Sequence, residues 1–293
     1  MLNKAPIFLN CFSRGGSNIL WNIFLTHPDV CSPMSETLQI FGAGLRHATP
    51  EGYLVALLSG QPRLFDQWNL SPRRPLPRHA RWLIDRTFHR WKLKTLRDRD
   101  MRFKYEDEVY TEEEVRSARL AAKNNNGLVY LSEVLLDLYP DATFVSLVRN
   151  PLALYEGHRR HRLAESPEQF ARFYERVAAR MIEDEARLPN YHIVRFEDLL
   201  ADPVGVTEKL YGLAGLDFGR VRKMRFKAKP HLQADGRHAT PYVPGRHYWF
   251  EPGEVNAMLE PRINDYQAER VDKSQRGLLA ELTQKSLRHF AYA

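Results

Sequence analysis

The sequence predicts an α/β protein with a central, mainly parallel sheet flanked by helices. Three observations carry this. Short, largely apolar runs recur at Ile7–Phe12, Thr143–Val148 and Tyr191–Phe196, as in strands buried on both faces. Segments of helical spacing fall between them, and strand–helix alternation favours parallel pairing. The first run leads directly into Ser13-Arg14-Gly15-Gly16-Ser17-Asn18, a polar turn with two glycines, and then into a helix. That order aims backbone N–H groups and a helix N-terminus at one spot, where an oxyanion binds.

Composition bounds the rest. A chain of 293 residues buries a substantial core. Its net charge of +7 favours anionic ligands, and no nucleic-acid motif accompanies it. Cys11 and Cys31 form neither a disulfide framework nor a metal set. No apolar run approaches the ~20 residues that span a bilayer, and Lys4 is followed by a strand rather than a leader and cleavage site. The expectation is a soluble, cytoplasmic protein with no nucleic-acid partner and no transmembrane segment.

In chain order, the helix after the turn carries Ile19, Leu20, Ile23 and Phe24 on one face. His27-Pro28 ends it, and Asp29–Pro33 leads into a second short strand. Glu36 follows, read at the C-terminal edge of a strand neighbouring the first, the edge where open α/β sheets bind ligands. A second reading stays open: a helix N-terminal carboxylate behind a capping Ser35. Tyr53–Leu58 reads as helix, broken by Gly60-Gln61-Pro62, and Ser71–Pro77 as loop. Arg78–Arg97 interleaves cations with Trp82, Phe88 and Trp91 and reads as a solvated helix with its aromatics in the core, or as a cap facing an anionic substrate. Phe103–Glu114 reads as acidic surface. Arg119–Asn125 is a strand and Tyr130–Leu138 an amphipathic helix. Thr143–Val148 is a buried strand ending at Arg149-Asn150-Pro151. Ser166-Pro167 opens a long helix to about Leu188. The strand Tyr191–Phe196 runs into Glu197-Asp198-Leu199-Leu200-Ala201-Asp202-Pro203 and a helix to Leu213, and Lys223–Arg246 is basic and loop-like.

The glycine turn departs from a Walker A loop, because Gly16 stands where that pattern needs lysine. Arg14-Gly15-Gly16-Ser17-Asn18 instead resembles the 5′-phosphosulfate loop of sulfotransferases that use 3′-phosphoadenosine 5′-phosphosulfate (PAPS), with Asn18 a mild departure. The block from Tyr130 to the helix after Pro151 resembles that family's 3′-phosphate site, with Arg149 in its arginine position. The usual serine is Gly157 here, for which His158, Arg159 or Arg160 are candidate substitutes. Arg195-Phe196-Glu197-Asp198-Leu199 and His247–Tyr266, where Trp249 precedes a final helix, resemble further landmarks.

The resemblance covers most of the chain and implies one P-loop-like domain over residues 1–293. The least similar part, 42–119, is read as a helical acceptor-binding cap. The Golgi-type carbohydrate and tyrosine-protein branch carries a glutamate where Glu36 stands, as general base. The resemblance thus implies transfer of a sulfuryl group from PAPS to a hydroxyl, on a carbohydrate or another small or carrier-bound acceptor. No metal is required, and 3′,5′-bisphosphoadenosine is left as product. It makes Arg14 and Glu36 the expected catalytic residues, with a histidine, His79 or His89, as the alternative base. Arg14, Gly15, Gly16, Ser17, Asn18, Arg149, Arg195, Arg237 and Arg246 are the residues expected to hold the donor. Lys123 matches a basic residue common in the family, and a surface lysine is the other reading. A P-loop nucleotide kinase and a non-catalytic nucleotide-binding module are the rival functions.

Overall fold

The computed structural model describes residues 1–33, 36–41, 49–60 and 75–292. The chain opens with β1 (Ile7–Cys11), α1 (Ser17–Thr26), β2 (Val30–Cys31), α2 (Leu38–Phe41), α3 (Pro50–Ser59), α4 (Arg78–Lys94) and α5 (Glu112–Ser117). The middle holds β3 (Arg119–Asn125), α6 (Ser132–Leu138), β4 (Thr143–Val148), α7 (Pro151–Arg160), α8 (Pro167–Arg187), β5 (Tyr191–Arg195), α9 (Phe196–Ala201) and α10 (Pro203–Ala214). Then come β6 (Met224–Lys227), β7 (His231–Leu232), β8 (His238–Ala239), β9 (His247–Phe250), α11 (Ile263–Glu269), α12 (Lys273–Leu282) and α13 (Gln284–His289).

Five strands form one sheet in the order β2-β3-β1-β4-β5, and every pairing in it is parallel. The α/β class with a central parallel sheet and flanking helices is therefore as expected. Strand order reverses direction at β1, so the loop after it opens at the switch point where such sheets bind ligands.

Strand alternation sorts β1 between two layers. Ile7, Leu9 and Cys11 face the cluster that includes Leu20, Ile23 and Phe24 of α1 and Leu210 and Tyr211 of α10. Phe8 faces the opposite cluster, with Phe88 and Trp91 of α4, and Phe12 packs with Tyr174 of α8. Asn10 shares that second face and is fully buried. Its amide donates to Ser132 Oγ at 3.0 Å and to the Tyr191 hydroxyl oxygen at 3.1 Å. Its carbonyl accepts from Asn124 at 3.0 Å. Tyr191 also accepts from Ser146 at 2.7 Å. Asn124, Asn10 and Ser146 are register partners across β3, β1 and β4. A polar band thus ties four strands together just below the ligand edge.

Several expectations change. In the basic stretch, Phe88 and Trp91 are buried as read, but Trp82 is exposed beneath Arg86. The acidic stretch is not only surface: Tyr105 and Tyr110 are buried, and Thr111 and Glu114 form a capping box that starts α5. Lys223–Arg246 is not simply loop, since β6 pairs antiparallel with β9 and β7 with β8. Three helices, not one, follow Trp249. Ser35, the Gln61-Pro62 break and residues 71–74 of the expected loop lie outside the described residues.

The polar band yields a stability test. Tyr191→Phe strands two buried donors, which costs about 1–3 kcal/mol. Urea unfolding should show that loss, and a change under about 0.5 kcal/mol would mean the band is not a structural tie.

Candidate active site

The loop after β1 takes its shape from sterics and from Asn126. Arg14 has φ 65° and Gly16 has φ 92°. A Cβ at Gly16 would lie 2.4 Å from the ring of Phe196, so position 16 needs glycine for both conformation and space. The Ser13 amide donates to Asn126 Oδ1 at 2.8 Å, and Asn126 Nδ2 donates to Ser13 Oγ at 2.9 Å. Gly16 caps α1 without a side-chain acceptor. Among the described residues no hydrogen bond is donated by the amides of Gly16, Ser17 or Asn18. Those amides are open to an anion.

A cavity of about 510 Å³ lies over the loop. Its lining includes Arg14, Gly16, Ser17 and Asn18, the further cations Lys123, Arg149, Lys227 and Lys229, and, among the described residues, a single carboxylate, Glu36. Phe226, Met258, Leu259 and Ile263 form an apolar part of the wall. Such a cavity suits a ligand with several negative charges and a flat apolar group.

Arg149 is the buried centre of the site. Its Nε donates to Asn264 Oδ1 at 2.7 Å, its Nη1 to the Arg14 carbonyl at 2.9 Å, and its Nη2 to Gln267. The guanidinium lies 4.6 Å from the Phe196 ring centre. Burial pushes it down to about 10, against the pull of Glu197 and Glu156, so it stays cationic at neutral pH. Three of its five N–H groups are used within the protein, which leaves two for a bound anion. Asn264 in turn donates to Glu197, and Gln267 donates to Glu156 at 2.8 Å. The sequence reading missed Asn264 and Gln267. Polar residues on a short helix look like a solvated face, and they sit more than 110 positions from Arg149.

Glu36 and Lys123 meet at the cavity's other side. Lys123 is buried. Its Nζ pairs with Glu36 at 2.7 Å, donates to Asn18 Oδ1 at 2.9 Å and lies 4.4 Å from the Trp21 ring centre. Asn125 donates to Glu36 at 3.1 Å. The surface reading of Lys123 therefore falls. Glu36 does not stand on a strand beside β1, because β3 lies between β1 and β2. It reaches the loop through Lys123 and Asn125 of β3. Its side chain is 40% exposed, an ion-paired setting rather than apolar burial.

The other expected donor residues divide. Gly15 is buried behind the loop, with Phe12 against it. Arg195 does not turn to the cavity. It pairs with Asp198, donates to the Phe290 carbonyl at 3.0 Å, and anchors the C-terminal segment. Arg237 is an exposed partner of Asp235, and Arg246 lies over Tyr248. The basic stretch instead brings Lys227 and Lys229 to the cavity. Gly157 lies against Arg14: a Cβ there would meet Arg14 Cβ at 3.3 Å, a tight contact. Arg159 and Arg160 do not substitute, since they bind the Arg270 carbonyl and Glu156. His158 is buried and donates from Nε2 to the Ser13 carbonyl at 2.8 Å, holding the loop from behind. No described residue of 42–119 lines the cavity.

Fold and site define a P-loop-like α/β protein with a loop of undonated amides at the sheet's switch point. Residues 6–220 match the model described as the sulfotransferase family, and the chain belongs to that family: it is a sulfotransferase, an enzyme of sulfuryl transfer. No curated protein matches it. Among solved structures it is similar to the sulfotransferase domain of the Synechococcus PCC 7002 olefin synthase, at 19% identity and TM-score 0.50, over 96% of this chain and 95% of that one. It is also similar to the sulfotransferase domain from the curacin biosynthetic pathway, at 14% identity and TM-score 0.51, over 95% of this chain and 97% of that one. These likenesses concern the fold. No helix among the described residues is long and apolar enough to cross a membrane.

His158 gives the site a pH signature. Burial pushes its imidazole down to about 4, so the folded protein keeps it neutral where the unfolded chain, near 6.5, gains a proton. Its stability is complete above pH 6.5 and declines as pH falls towards 4, by up to about 3 kcal/mol. Denaturant midpoints at pH 7 and pH 4.5 should differ less in His158→Gln than in the parent. Equal differences would mean His158 titrates normally.

Proposed function

We propose that the chain transfers a sulfuryl group from PAPS to an acceptor hydroxyl without a metal. The observation that carries this is the charge of the loop cavity: open helix-start amides, Arg14, Lys123, Arg149, Lys227 and Lys229 around the Glu36 carboxylate. PAPS carries a 5′-phosphosulfate and a 3′-phosphate on its ribose, which also bears a flat adenine. The loop amides with Ser17 and Asn18 suit the 5′-phosphosulfate. Arg149, with two N–H groups to spare, suits the 3′-phosphate, and Phe226, Met258 and Leu259 suit the base. Without a β,γ-diphosphate on the donor, these cations do the work that Mg²⁺ does in kinases.

In the transfer, the bond from sulfur to the 5′-phosphate oxygen breaks and a bond to the acceptor oxygen forms. Charge grows on the departing phosphate oxygen. Arg14 and the loop amides stabilise that charge more than the ground state. Glu36 takes the acceptor's proton. Lys123 joins the two events, because one ammonium holds Glu36 and the loop residue Asn18 together. The acceptor is a carbohydrate or another small or carrier-bound molecule, and the Golgi-type likeness of Glu36 supports the first. We read residues 1–293 as one sulfotransferase domain. The buried free thiols Cys11 and Cys31 support a reducing, cytoplasmic setting.

A thermal-shift series tests the donor. 3′,5′-Bisphosphoadenosine should stabilise the protein equally with and without Mg²⁺, and more than ADP or ATP. A Mg²⁺-dependent preference for ATP would instead point to a kinase. For the chemistry, Arg14→Ala should lower turnover by roughly 10²–10³-fold and Glu36→Gln by roughly 10²–10⁴-fold, with bisphosphate affinity less affected. Near-parental turnover in either variant removes that residue from the mechanism, and binding without any turnover in the parent favours a nucleotide-binding module.

A further inference from the structure

A second cavity, of about 490 Å³, lies behind the loop between the end of α7 and the start of α8. Its walls include His158, Phe170 and Phe173, whose rings pack at 5.2–6.2 Å between centres. Arg172 and Arg176, one turn apart on α8, add two cations, and among the described residues no carboxylate lines it.

The two cavities share a wall. Leu163 lines both, and at 52% exposure it is one of the most exposed large apolar side chains described. Ser13 lines the first and Asn126 the second, and these two residues hydrogen-bond to each other. Asn125, which holds Glu36, immediately precedes Asn126. The backbone is strained at this junction. Arg14, Asn126 and Arg162 have φ of 65°, 57° and 55°, three of the five non-glycine residues described at positive φ. Such conformations cost energy and collect where function needs them. Arg162 turns the end of α7 so that Leu163 N donates to the His158 carbonyl at 2.8 Å, which stations Leu163 at the rim.

Resting on the sulfuryl-transfer reading, we propose that this second cavity seats the body of the acceptor. The geometry points to an acidic aromatic or similarly flat apolar molecule. Its ring lies along Phe173 and Phe170, its anionic group meets Arg172 and Arg176, and its hydroxyl passes Leu163 towards Arg14 and Glu36. No described residue of 42–119 lines this cavity either.

The test uses 4-hydroxybenzoate and its neutral counterpart 4-hydroxybenzamide, titrated calorimetrically into the full chain saturated with 3′,5′-bisphosphoadenosine. The acid should bind about 5-fold more tightly than the amide, as an exposed ion pair allows. An Arg172→Gln, Arg176→Gln double variant should lose that preference and keep the amide's affinity. Ala164→Trp, which fills the cavity, should abolish binding of both probes while the bisphosphate still binds, which also shows that the variant folds. Equal affinities, no binding of the acid, or binding that survives Ala164→Trp would overturn the proposal. Failure of the bisphosphate to bind the parent would instead overturn the donor reading.

Discussion

The burial of Arg149 is the constraint on which the site rests. A guanidinium removed from water is costly unless its donors are met. Here the loop itself meets one of them, through the Arg14 carbonyl. Helix α11 meets two others through Asn264 and Gln267, and Phe196 supplies an aromatic face. The end of β4, the loop after β1, the start of α9 and α11 are therefore fixed by one side chain. The same Phe196 ring excludes any side chain at position 16. The anion loop and the buried arginine are thus parts of one packing solution.

The other half of the site follows from strand parity. In β3, Lys123 and Asn125 pair in register with Leu9 and Cys11 of β1, so they share the face that α1 covers. That puts Lys123 against Trp21 and Asn18 and brings Glu36 to it. Asn124 points to the opposite face and joins the polar band beneath the ligand edge. Thr37, next to Glu36, donates to Asn124 at 2.6 Å and so anchors Glu36 to that band. Neighbouring residues of one strand therefore serve the site and its foundation.

Much of this was legible in the sequence, for a physical reason. Strands β1, β4 and β5 are largely apolar runs with local signatures, the glycine loop and Arg149 lie at the ends of β1 and β4, and β3 shows as a short apolar start running into polar Lys123, Asn124 and Asn125. Contacts made across long separations were not legible. Nothing near Arg149 announces Asn264 or Gln267. In the basic stretch before His247, composition cannot say which cation faces the cavity. The pairing of β6 with β9 decides it, bringing Lys227 and Lys229 inward while Arg237 and Arg246 lie outside the lining. The motif around Arg195 points it towards the nucleotide, yet the tail segment at Phe290 captures it. Gly157 looked like a missing hydroxyl, and the stem of Arg14 packs against it.

Arg149, buried with two N–H donors to spare, is the residue we propose for the phosphate at the far end of the nucleotide. Calorimetric titration of 3′,5′-bisphosphoadenosine and adenosine 5′-phosphate into the parent and into Arg149→Ala tests it most directly. The parent should prefer the bisphosphate and the variant should lose that preference, with adenosine 5′-phosphate affinity nearly unchanged. Equal weakening of both nucleotides, or a preference that survives the substitution, would contradict it.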